Sequence, residues 1–229
     1  MAMQWLEREF RQTGTRQDKL NADLMAAMLE HRGKDIPMPI SPVATEAPRI
    51  EIVRFSTEAR EALEGQGYKV YELTGQTVKS LRDSGKRFWS TWHKGYDFED
   101  SASRSSEVAI NPKKLFLPRS NNKTLSEQQA LVARFSADIS AKVSGVEAVL
   151  GEVPDYAELA FAHLDATGDY LFGSKNDYSY TRTQTRVGSF VADVGHFNPD
   201  DGLSVNRWLP DSRHGSLFAA PLVVPAGTK

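Results

Sequence analysis

The chain has 229 residues, 40% of them hydrophobic and 25% charged, with 16 Gly and 11 Pro. That make-up belongs to folded globular proteins of one or two domains and excludes collagenous, coiled-coil and disordered classes. Its 28 Lys and Arg stand against 30 Asp and Glu, a formal charge of -2, so no basic excess is present to neutralise a phosphate backbone and nucleic acid is not an expected partner. With no Cys, disulfide frameworks, thiolate zinc sites, iron–sulfur clusters and cysteine nucleophiles are excluded.

Residues 1–10 mix Glu7, Arg8 and Glu9 with single apolar residues and lack the apolar core of a secretion signal. The longest apolar stretch, 217–226, is interrupted by Pro221 and Pro225 and is too short to cross a bilayer as a helix. The expected protein is soluble, cytoplasmic or exported by a signal-independent route, without membrane insertion. Over 15–32, Leu20, Leu24 and Met28 recur every four residues, with Met25 and Leu29 widening the stripe and Gly33 as a stop, which predicts an amphipathic helix. Such a stripe docks on the parent domain or pairs with a second copy, so self-association through residues 1–32 is one expectation. Pro37, Pro39, Pro42 and Pro48 then forbid helix and central strand alike, and 34–49 reads as a linker. The chain thus divides into a helical segment 1–33, a linker 34–49 and a domain 50–229.

Within that domain, 50–55 alternates as a strand, Ser56 caps a helix over 57–64, and 68–73 is again strand-like. A helix over 76–82 feeds an aromatic cluster of Phe88, Trp89, Trp92, Tyr96 and Phe98, expected to pack against the core. A Ser-rich loop at 101–106 precedes a strand over 108–117 broken at Asn111 and Pro112. Thr124 or Ser126 caps a long helix whose face carries Leu131, Phe135, Ile139 and Val143. After a strand over 146–153, Pro154 opens a helix through 164. From 178 onward only short strands are expected, at 178–187, 190–197, 203–208 and 217–224, separated by the turns 198–202 and 210–215.

Motifs for phosphate loops, dinucleotide sites and hydrolase elbows are absent, and the five His residues show no H-E-x-x-H spacing. His163 falls inside a helix and reads as a packed residue, whereas His196 and His214 lie in or beside turns. Asn198-Pro199-Asp200 resembles the Pro-centred calcium motif of C-type lectins, in which a cis proline sets paired oxygens. No Trp-Asn-Asp partner motif follows it, and Asp200 and Asp201 read as a solvated turn. No metal or cofactor is expected.

Three segments in order resemble the C-type-lectin fold in its formylglycine-enzyme-like and retroelement-associated branches. Glu152-Val-Pro154-Asp-Tyr-Ala-Glu158-Leu is similar to the L-P-T-x-A-E-W entry into that fold's second helix, with Val for Leu and Leu for Trp. Tyr180-Thr-Arg182-Thr-Gln-Thr185 resembles the W-T-S-T strand, and Ser216 to Val224 resembles the closing G-V-R-P-A strand, with Ala220 in the Arg position. The match covers roughly half the chain. It implies an α+β fold, a C-type-lectin-like domain with an N-terminal helix and α/β elaboration. The copper-holding cysteines of formylglycine-generating enzymes are missing, so catalysis of that kind is excluded and a non-enzyme is expected.

The remaining branch is the variable protein of diversity-generating retroelements. In that family template adenines are randomised, typically turning AAC codons into NNC, which cannot encode Lys, Glu, Gln, Met or Trp. Those five types make up 44 of the 229 residues, yet residues 185–228 contain one, Trp208, where proportion predicts about eight. A β-rich end is also poor in Lys, Glu and Gln, so composition leaves both explanations open.

The resemblance implies a hypervariable region at about 187–217 that binds a protein target. Its candidate ligand-binding residues are Phe190, Asp193, His196, Asn198, Asp200, Asp201, Ser204, Asn206, Arg207, Asp211, Ser212, Arg213 and His214. They are threaded between apolar Val191, Val194, Phe197, Leu203, Val205, Trp208 and Leu222, expected to be the fixed frame. Two alternatives stand beside this. One is a metal-dependent sugar binder or enzyme on the same fold using Asp193, His196 and Asp200; the other is a structural protein assembling through its N-terminal helix.

Overall fold

The computed structural model describes residues 51–89, 95–172 and 178–227. The chain divides into two units at Pro48/Arg49, and all of these residues belong to the second, Arg49–Lys229. The helix at 15–32, the linker at 34–49 and Trp92 lie outside the described residues.

The fold is α+β. Helix α1 (Thr57–Gly65) starts where Ser56 accepts the Ala59 N–H at 3.1 Å. Strand β1 (Lys69–Thr74) and helix α2 (Val78–Asp83) follow, the latter closed by a Thr77–Ser80 capping box. The expected strand at 50–55 shrinks to a bridge from Val53 to Ser106, because the chain turns to place the Phe55 N–H on the buried Glu107 carboxylate, 3.0 Å away. The aromatic cluster divides. Phe98 is buried and Phe88 packs edge-on against Phe161, while Trp89 and Tyr96 are exposed, correcting the expectation that all of them join the core.

Strand β2 (Ser105–Ile110) takes in the end of the expected Ser loop and stops at Asn111, whose side chain caps a short 3-10 turn at Pro112–Lys114. Helix α3 (Leu125–Ser140) is capped by Thr124 and Glu127. Its buried positions are Leu125, Gln128, Val132 and Ile139, with Leu131 and Phe135 only half-buried. Strict four-residue spacing drifts around a helix of 3.6 residues per turn, so the buried line alternates threes and fours instead. Strand β3 (Val146–Val149) is shorter than expected, because Val153 already belongs to α4 (Val153–Thr167).

The remaining strands are β4 (Tyr180–Val187), β5 (Phe190–Asn198), β6 (Gly202–Trp208), β7 (Leu217–Phe218) and β8 (Leu222–Pro225). The single strand expected over 217–224 is two strands in different sheets. Pro221, which cannot donate to a ladder, marks the crossover. One sheet runs β1-β2-β8-β3, the other β6-β5-β4-β7. Helix α4 packs against β1 of the first sheet and β4, β5 and β6 of the second, and is buried on nearly every side. Its Glu158 carboxylate accepts the Thr74 N–H at 2.9 Å, the Thr74 hydroxyl at 2.8 Å and the Gln76 N–H at 3.2 Å, holding the turn after β1.

Candidate functional site

The antiparallel run β4-β5-β6 carries most of the candidate residues. Alternation along β5 sends Ala192 and Val194 into the main core and Asp193 to the opposite face, as a period of two requires. That opposite face is also covered. Val191 packs there with Leu125, Val132, Leu150 and Ala219, and the buried Arg182 side chain ties down the segment after β6, donating to the carbonyls of Leu209 (3.2 Å) and Ser212. Asp193, His196, Asn198 and Ser204 are therefore buried, which corrects their assignment to an outward surface. Phe190, Asp201, Asn206 and Ser212 are half-buried, whereas Asp200, Arg207, Asp211, Arg213 and His214 are exposed.

Asp193 lies in register between Arg182 and Asn206. Among the described residues neither of its carboxyl oxygens has a hydrogen-bond partner, and burial pushes its pKa well above the ordinary carboxylate range, with the Arg182 charge opposing the shift. Burial also raises the pKa of Tyr180, whose hydroxyl faces Ser204 and Asn206.

The turn joining β5 to β6 is self-contained. Asn198 Oδ1 accepts the N–H groups of Asp200 (3.0 Å) and Asp201 (2.9 Å), and its Nδ2 lies 3.2 Å from Asp201 Oδ2. His196 sits in the left-handed region at φ 41° beside a bulge in β5, stacked on Tyr178 with centroids 4.2 Å apart. Gly202 closes the turn at φ 87°, and a Cβ there would meet the Arg87 carbonyl at 2.4 Å, so glycine is required. Asn198 Oδ1 is thus engaged by two backbone N–H groups of its own turn. Among the described residues, no group of three or more His, Cys, Asp or Glu is placed to hold a metal.

Edge strand β6 organises the exposed residues. On one face the Arg207 guanidinium lies 5.3 Å from the Phe190 ring and 5.8 Å from the Tyr96 ring, and donates to the Tyr96 hydroxyl at 2.8 Å. On the other face the Trp208 ring lies tilted against His214, centroids 4.8 Å apart. Arg213 reaches away to Glu127 at 2.9 Å, at the start of α3. Trp208 is 37% exposed and so is not part of the buried frame expected of it; Val191, Val194, Phe197, Leu203, Val205 and Leu222 are.

Tyr178 (60% exposed), Trp89 (54%), Leu209 (49%) and Tyr96 (37%) complete a large-side-chain surface around this sheet. Trp89 joins through its backbone N–H, donated to the Leu203 carbonyl of β6 at 3.0 Å. Sequence reasoning missed Trp89, Tyr96, Tyr178 and Leu209, since a cluster of aromatics carries no periodicity that separates outward rings from inward ones.

The segments that carry the C-type-lectin resemblance occupy the start of α4, strand β4, and β7 through β8. Ala220 is buried, its N–H donated to Thr181 Oγ1 at 3.0 Å and its carbonyl accepting the Tyr156 hydroxyl at 2.6 Å. Comparison with family models, curated proteins and solved structures finds no match to this chain.

Proposed function

We propose that this chain is a non-catalytic ligand-binding protein of diversity-generating retroelement type, presenting a variable surface on a C-type-lectin-like scaffold to a protein target. The observation that carries this reading is the concentration of exposed Trp, Tyr and Arg side chains along and beside β6. These are the residue types that dominate protein interfaces, and large exposed aromatics grouped together mark interaction surfaces rather than inert ones. Helix α4 packed on both sheets, a sheet joined by the last strand, and a second sheet whose β4-β5-β6 run is antiparallel also accord with the C-type-lectin expectation.

The variable positions are then Phe190, Asp200, Asn206, Arg207, Asp211, Ser212, Arg213 and His214, while Asp193, His196, Asn198 and Ser204 belong to the framework. Trp208, outside the NNC repertoire, is a fixed aromatic anchor within the surface. Two measurements test this. Sequencing the locus is expected to show a reverse-transcriptase gene and a near-copy of the region encoding residues 187–217 that differs at adenines. Randomising Arg207, Asp211, Arg213 and His214 together and displaying the library is expected to yield folded members from which binders to a test protein, such as hen lysozyme, are selected. A library that is mostly unfolded, or a locus with neither feature, overturns the reading.

A further inference from the structure

A cleft of about 720 Å³ opens where β1 begins and β2 ends, and it shares no residue with the surface around β6. Among the described residues its polar lining includes Lys69, Lys113, Lys114, His163 and Asp169, with Tyr68 and Tyr170 as aromatic walls. A second cleft of about 400 Å³ continues from it. The two share Tyr68, Asn111, Lys113 and Lys114, and the second adds an apolar floor that includes Phe116, Phe135 and Pro221. One end of the combined groove is therefore cationic and the other is greasy.

The cationic end has a fixed polar atom as well as mobile ones. His163 is buried on α4, and its Nδ1 lies 2.5 Å from the Tyr71 hydroxyl. Burial raises the Tyr71 pKa, so the phenol keeps its proton and is able to donate it to Nδ1. Burial, and then the Lys69 charge, lower the His163 pKa, with Asp169 acting the other way, which favours the neutral ring. With Tyr71 as the donor, the single proton of a neutral imidazole is on Nε2, because the two ring nitrogens of a neutral histidine divide donor and acceptor roles. Among the described residues no group accepts from Nε2, and His163 lines the cleft. In that tautomer an uncharged donor held by a buried tyrosine is among the lining groups, with three ammonium groups against one carboxylate around it.

We propose that this groove binds a small amphiphile, its phosphate or carboxylate head seated against His163 Nε2–H and Lys69, Lys113 and Lys114, its apolar tail along Phe116, Phe135 and Pro221. The lysines supply attraction and His163 a directional bond; the apolar stretch adds affinity in proportion to the tail it covers. Neither the head nor the tail alone uses both halves.

The test is calorimetric titration of the full chain with octyl phosphate, octanoate, butyl phosphate, inorganic phosphate and octyl glucoside, all below their micellar concentrations. Octyl phosphate or octanoate is expected to saturate one site. Butyl phosphate and inorganic phosphate are expected to bind at least about tenfold more weakly than octyl phosphate, and octyl glucoside not measurably. The double variant Lys113→Gln/Lys114→Gln, changed at two exposed positions, is expected to keep the wild-type melt and to lose about tenfold in affinity for the octyl anions. The Nε2 resonance of His163 should move on adding octyl phosphate, and Arg207→Ala should leave all of this unchanged. No saturable binding, an affinity indifferent to tail length, or full affinity in the lysine double variant would each overturn the proposal.

Discussion

Phe197 and Arg207 come from neighbouring strands and take opposite thermodynamic parts. Phe197 is buried edge-on against Phe161 and Tyr170, centroids 5.0 and 4.7 Å away, so Phe197→Ala is expected to cost about 3–5 kcal/mol in urea unfolding. Arg207→Ala removes an exposed guanidinium and is expected to change stability by about 0.5 kcal/mol or less. Asp193 calls for a pH experiment. Its folded pKa is raised, so the folded state holds the proton that the unfolded chain releases near pH 4. Stability is full below that point and is lost as pH rises through the folded value, by at most about 1.4 kcal/mol per unit. Urea midpoints of wild type and Asp193→Asn from pH 4 to 8.5 should therefore diverge, the variant gaining relative to wild type as pH rises. A parallel pair of curves would show that the group does not titrate as its burial demands. Asp193 was also only half legible in the sequence. Alternation correctly set it opposite Ala192 and Val194, but nothing local reveals that α3 and the segment after β6 cover that opposite face as well.

Among the elements, those with chemical start signals were legible. Thr124 and Glu127 announce α3, and Thr124→Ala is expected to cost about 1 kcal/mol in a thermal melt, because it frees the Glu127 N–H. Pro154 announces α4, and Asp155 completes its N-terminus by accepting the Glu152 N–H at 2.9 Å and pairing with Arg104 at 2.9 Å. Sheet membership was not legible. Residues 217–224 read as one strand, yet Leu217–Phe218 pairs in parallel with β4 while Leu222–Pro225 lies between β2 and β3. Partner choice depends on contacts that are distant in sequence, and periodicity within eight residues cannot encode it. The groove beside His163 was hidden for the same reason, since its lysines come from separate strand ends.

At the scale of the molecule, α4 spans both sheets and couples the framework to the exposed edge at β6. On the proposed reading the display surface requires no bound ion, and among the described residues no group of three or more His, Cys, Asp or Glu is placed to hold one. The melting temperature is therefore expected to be the same in calcium, in zinc and in chelator, and an upward shift with calcium would favour a metal-dependent sugar binder instead. Strand β8 has one more consequence. Because it is the piece that joins β2 to β3, a nascent chain halted on the ribosome before Leu222 holds the β1–β2 pair with an open flank and β3 without its sheet partner. Protease resistance should then be gained only after translation has passed that strand, leaving holdase chaperones a window on every molecule made.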